Sequence, residues 1–144
     1  MLRVWLLAPS IGLVLAVALI GTGFAGLLED REAVMRQISR AFRPLADIAK
    51  HNRFDAAETA KRGAEIASGL ERFKDLFPAG SEHADHAAGP EIWSDRTGFE
   101  KAGAAAGAAA VALAQVTDAA ALRDAVARLG AACKACHQAY RIDP

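Results

Sequence analysis

Two cysteines and a histidine carry the clearest chemistry in this chain: Cys133, Cys136 and His137, in the run Cys-Lys-Ala-Cys-His. The chain has 2 cysteines in all, and both are here. This is the pattern of c-type haem attachment. Each thiol adds across a vinyl group on one edge of the porphyrin and becomes a thioether. Cysteines three residues apart on a helix point the same way, so both reach that edge. The adjacent imidazole then turns to the iron as its proximal ligand. Other readings of the same residues are weaker. A Cys133–Cys136 disulfide closes a trivially short loop and leaves His137 unexplained. A thioredoxin-like pair needs a strand running into a helix N-terminus, whereas this pair sits late in the last helical stretch. A structural zinc site needs four ligands, and only His51, His83 and His86 remain as histidine partners.

The elements that must position these groups are helical. A chain of 144 residues has room for one domain and one core. Apolar residues make up 53% but aromatics only 6%, the excess being alanine, which suits helices packed closely through small side chains. That composition excludes intrinsic disorder and disfavours an all-β domain. With 17 basic and 17 acidic residues there is no surplus of positive charge to meet nucleic-acid phosphates. No acid–base pair or nucleophile points to an enzyme.

Four helical stretches follow from the hydrophobic period. The first, from about residue 29 to residue 50, places Leu28, Met35, Ile38, Phe42, Leu45 and Ala49 on one stripe with Arg31. Pro44 is expected to kink it or change its direction. The second runs from about Asp55 to Leu76, with Ala57, Ala60, Ala64, Ala67, Leu70 and Phe73 or Phe77 expected on one side, and Pro78-Ala79-Gly80-Ser81 ends it. The longest loop runs from residue 78 to about residue 95. A third helix spans about Thr97 to Gln115, and a fourth begins at the cap Thr117-Asp118. The fourth has the cleanest stripe, Leu122, Val126, Leu129, Cys133, Cys136 and Tyr140. The fold class is therefore all-α, an antiparallel four-helix bundle over residues 26–144.

Residues 1–25 read differently. From Val4 to Leu28 there is no charge, Arg3 precedes the run, and Gly23-Phe24-Ala25 offers small residues for cleavage after Ala25. This is an export signal or, if uncut, a membrane anchor, since the run is long enough to span a bilayer. Either way the bundle is expected outside the cytoplasm, in the periplasm, and tethered to the membrane only if the segment is retained.

The chain resembles the class II cytochromes c, the cytochrome c′ superfamily. The resemblance rests on Gly130-Ala131-Ala132-Cys133-Lys134-Ala135-Cys136-His137 followed by Tyr140-Arg141, on Pro90-Glu91-Ile92-Trp93 with Phe99 beyond, and on Phe54-Asp55-Ala56-Ala57. It implies one covalently attached haem c, with its iron, in the bundle. The family divides by the residue that faces the iron from the first helix. An apolar residue there goes with five-coordinate iron and the binding of nitric oxide or other small gases. A methionine goes with six-coordinate low-spin iron and electron transfer.

Two registers compete for that position. Arg36-Gln37 matches the family dipeptide literally, but puts Arg40 over the iron and turns Arg43, Asp47 and Lys50 into the bundle, at several kcal/mol for each unpaired buried charge. Arg31-Glu32-Ala33-Val34-Met35 matches less literally and keeps Ile38, Phe42, Leu45 and Ala49 in the core. The second register is preferred. It makes Met35 the sixth ligand by resemblance, the alternative being a core filler, a role methionine plays well. Arg31, one turn earlier, pairs a haem propionate by the same resemblance, against a solvated helix-start arginine. Arg141 lies near the proximal imidazole or is a surface charge. Trp93 reads as a loop anchor near the haem edge. Gly130 calls for close approach by the porphyrin or a facing helix. His83 and His86, with Glu82 and Asp85, read as a solvated loop rather than a metal site. The expected function is electron transfer through a Met35/His137 iron to a partner redox protein, as a monomer or homodimer; the alternative is gas binding.

Overall fold

The computed structural model describes residue 24 and residues 26–142. The expected signal or anchor, apart from Phe24, lies outside the described residues. Five helices occupy the rest: α1 (Leu27–Lys50), α2 (Ala56–Phe73), a short α3 (Glu91–Ser94), α4 (Arg96–Ala114) and α5 (Ala119–Tyr140). The long four form the expected bundle. Among the described residues no helix is long and apolar enough to cross a membrane.

Helix starts follow the capping residues. Asp55, Asp95 and Asp118 each accept a backbone N–H from the first turn behind them, of Glu58, Gly98 and Ala121. α1 has no side-chain cap, but Glu29 and Asp30 in its first turn favour its positive end. It ends in the turn expected at residues 51–53, where Asn52 takes a left-handed φ of 54°. Pro44 does not end α1, which continues through it to Lys50. A 3-10 turn, Lys74–Leu76, extends α2, and the loop after it holds α3.

The helices run antiparallel. Gly63 near the start of α2 abuts Ala114 at the end of α4, and Gly69 near the end of α2 abuts Ile38 in the first half of α1. α2 packs broadly on α4 and α1, and α5 on α4, whereas α1 and α5 meet more sparsely. The main core joins Ile38, Ala41, Leu45 and Ala49 of α1 to Ile66, Ala110, Leu113, Leu122, Ala125 and Leu129. A smaller aromatic core, Phe77, Ile92 and Phe99, sits under the 77–95 segment with Trp93 and Tyr140 against it.

The expected inner face of α2 is corrected. Ala57, Ala60 and Ala64 are exposed, and the buried residues are Thr59, Gly63, Ile66 and Gly69. Burying an alanine methyl gains little, so alanine does not fix a helix's rotation. Glycine does here, by letting backbones close in. A Cβ at Gly63 would stand 2.7 Å from both Cα and Cβ of Ala114. Gly107 in α4, by contrast, has nothing within 4 Å of where its Cβ would be. Overpacking costs about 1–3 kcal/mol, against a helix-propensity gain of about 1 kcal/mol. Gly63→Ala is therefore expected to lower the urea midpoint, and Gly107→Ala to raise stability by about 0.5–1 kcal/mol. Equal rises in the two would show that α2 and α4 have slack between them.

Candidate haem site

Cys133, Cys136 and His137 occupy the last two turns of α5. Both cysteines are free and half-buried, and His137 is exposed. Burial pushes both thiols upward in pKa, and for Cys136 the nearby Cys133 adds to it. Burial therefore favours the protonated thiol over the thiolate in both. His137 shares a cleft of about 500 Å³ with Lys134, Gln138 and Arg141. Arg141 is exposed, and its backbone N–H donates to the His137 carbonyl at 3.0 Å.

Met35 lies on the α1 stripe with Phe42, and both pack half-buried against the main core, as does Cys133. The burial pattern matches the preferred register: Ile38, Leu45 and Ala49 are buried, while Arg40, Arg43, Asp47 and Lys50 are exposed. The neighbour nearest to Gly130 is Phe42, whose Cζ stands 3.7 Å from the position a Cβ would take. That is ordinary contact, so the facing helix alone does not demand glycine there. Gly130 lies one turn before Cys133, so the Phe42 ring meets α5 just ahead of the two cysteines.

Arg31, one turn before Met35, is not a solvated arginine. It is 2% exposed. Its Nε donates to the Leu76 carbonyl at 3.0 Å and its Nη2 to Ser81 Oγ at 2.9 Å. The guanidinium lies 4.1 Å from the Phe77 ring centre and 5.7 Å from that of Trp93. Its Nη1 makes no hydrogen bond and stands 3.9 Å from Asp85 Oδ2. Burial lowers its pKa, with Asp85 opposing; a guanidinium stays charged regardless. Trp93 anchors its loop as expected, donating from Nε1 to the Pro78 carbonyl at 3.0 Å. Among the described residues no group of three or more His, Cys, Asp or Glu is placed to hold a metal ion.

These residues fit a covalently held haem. Two free thiols stand one turn apart with an imidazole beside them, on the α1–α5 seam that packs more loosely than its neighbours. The buried Arg31 Nη1 makes no hydrogen bond, Asp85 standing 3.9 Å away, and so keeps a donor for an anionic propionate. The partners of Arg31, namely Ser81, Phe77 and Asp85, were not visible in the sequence pattern. Neither was the hydrogen bond from Tyr140 to Asp95 at 3.0 Å.

Comparison with known proteins agrees with this geometry. A family model described as Cytochrome C′ matches residues 27–141. A cytochrome c-556 of Agrobacterium fabrum is 40% identical over 121 residues, covering 82% of each chain. A cytochrome c′ of Rhodopseudomonas palustris is 33% identical over 138 residues, covering 91% of this chain and 94% of its own. The solved cytochrome c prime from Shewanella frigidimarina is similar with a TM-score of 0.76 at 30% identity, over 85% of this chain and 98% of that one.

Proposed function

This chain belongs to the cytochrome c′ family, and from that premise we propose that it carries single electrons through an iron held between His137 and Met35. That it is a c-type haem protein, with haem c covalently attached, follows from the family. The haem, when bound, supplies the one-electron change; the chain supplies attachment, ligands and surroundings. Cys133 and Cys136 would hold the group through thioether bonds, and His137 and Met35 would supply ligands to its iron. A thioether sulfur together with an imidazole would favour the ferrous state and raise the reduction potential. Arg31 would offer a propionate its Nη1, which makes no hydrogen bond in the chain. The leader exports the bundle to the periplasm, where it exchanges electrons with a partner redox protein; the chain works there as a monomer or a homodimer.

The observation that supports this reading is that Met35 of α1 and Cys133 of α5 both pack half-buried against the same core. The test is the absorption spectrum of the haem-loaded protein, oxidised and reduced, with and without carbon monoxide. The reading requires a sharp low-spin reduced spectrum indifferent to the gas. A broad high-spin spectrum that shifts on adding it would instead mean an open distal position and a gas-binding protein.

A further inference from the structure

His137 sits three residues from the end of α5, in its last turn, where its carbonyl accepts from the Arg141 N–H and the Tyr140 carbonyl is met from outside the helix. Such turns fray at little cost. An iron ligand there needs something to hold the backbone still, and the residue one turn on, Tyr140, is gripped from three directions. Its hydroxyl donates to Asp95 Oδ2 at 3.0 Å. Its ring packs edge-on against Phe99, with centres 5.5 Å apart. Its carbonyl accepts from Gly89 N–H at 2.9 Å, and the following Ile142 N–H donates to the Ala87 carbonyl at 3.0 Å. An antiparallel bridge pairs Ala88 with Arg141 between them.

Two glycines leave room for this grip. A Cβ at Gly98 would fall on Asp95 Oδ2 and the Tyr140 hydroxyl. A Cβ at Gly89 would come within 3.1 Å of the Tyr140 carbonyl oxygen and 2.7 Å of Glu91 Oε2. Asp95 is itself fixed, since its other oxygen accepts from Gly98 N–H at 3.1 Å and caps α4. Burial and the hydrogen bond to Asp95 both push the Tyr140 phenol upward, so it keeps its proton through neutral pH.

We infer that Tyr140 is a positioning residue for His137: latched to Asp95 in the pocket left by Gly98, it fixes the turn of α5 that presents the imidazole to the iron. The inference rests on the reading of His137 as iron ligand. Tyr140 touches neither iron nor porphyrin in this role. It acts through the backbone, because residues 137 to 140 make one helical turn and fixing its far end fixes the rotation of its near end.

The test uses haem-loaded protein with Tyr140→Phe, Asp95→Ser and the two combined. Serine keeps the α4 cap but is too short to accept from Tyr140. Ile92→Val, which trims the same aromatic core without touching the latch, is the control. Two readouts are taken: amide hydrogen exchange of residues 137–140, and the pH at which acid displaces the histidine ligand, followed by absorption. Losing a hydrogen bond to a charged acceptor should speed that exchange about tenfold or more. A less firmly held imidazole yields to protonation earlier, so the acid transition should move to higher pH in both single variants. The combined variant should do no more than either alone. The inference is overturned if Ile92→Val moves the acid transition as much per degree of lost melting temperature, or if the single effects add. A parent spectrum without histidine-ligated haem removes the ligand reading itself. A normal parent spectrum with unmoved variants removes the latch alone.

Discussion

Met35→Ala is expected to turn a protein indifferent to carbon monoxide into one that binds it. The reduced spectrum should broaden from low-spin to high-spin and shift when the gas is added. Truncating a fully buried methionine costs about 2–5 kcal/mol. Met35 is half-buried at the edge of the core, so the cost falls at the low end, and the haem stays tethered through α5. The bundle should therefore survive while the iron loses its distal sulfur. Met35→Leu separates ligation from packing, because leucine fills nearly the same space without a thioether. Both variants should bind carbon monoxide if the sulfur holds the iron. If neither changes the ferrous spectrum, Met35 is a core filler and the α1 register does not bear on the chemistry.

How far the sequence could reach shows in which side chains carry a period. In α1 and α5 it is written by large residues against charged ones. Ile38 and Leu45 are buried, while Arg40, Arg43, Asp47 and Lys50 are exposed; in α5 Leu122 and Leu129 are buried, while Arg123, Asp124 and Arg128 are exposed. These two helices carry Met35, Cys133, Cys136 and His137, so the centre of the candidate site was legible. α2 was not, because its alanines have too little surface to choose a side. Its rotation is set by Gly63 and Gly69, whose missing side chains a hydropathy reading passes over.

The polar ties across the 77–95 segment were illegible for a different reason. Arg31 meets Ser81 and Tyr140 meets Asp95, fifty and forty-five residues apart in the chain. Such contacts leave no periodic trace, and a lone arginine at a helix start looks the same whether solvated or buried. Only the fold, by bringing the end of α2, the loop and the end of α5 around the first turns of α1, distinguishes the two. The residue identity pointed to the site, while its surroundings had to come from three dimensions.

Arg31→Ala should be the most destabilising of these substitutions, and where the loss appears decides what Arg31 does. In the folded chain the guanidinium satisfies Leu76 O and Ser81 Oγ and covers the Phe77 ring. Removing it strands the carbonyl and leaves a cavity, so a loss of about 3 kcal/mol is expected. Arg31→Lys should recover only part of it. A single ammonium does not reach both acceptors as a planar fork does, nor stack flat on the ring. These ties run to the chain's own groups, so a chain made haem-free by Cys133→Ser and Cys136→Ser should lose most of that amount. Nη1, which makes no hydrogen bond in the chain, is the discriminating atom. If it pairs a propionate, the haem-loaded protein should lose a further amount of about 1.5–3 kcal/mol, the usual worth of a hydrogen bond to a charged group. Urea unfolding of the two forms, each with and without the substitution, measures both terms. Equal losses would make Arg31 a tie between α1 and its loop and remove it from the haem site.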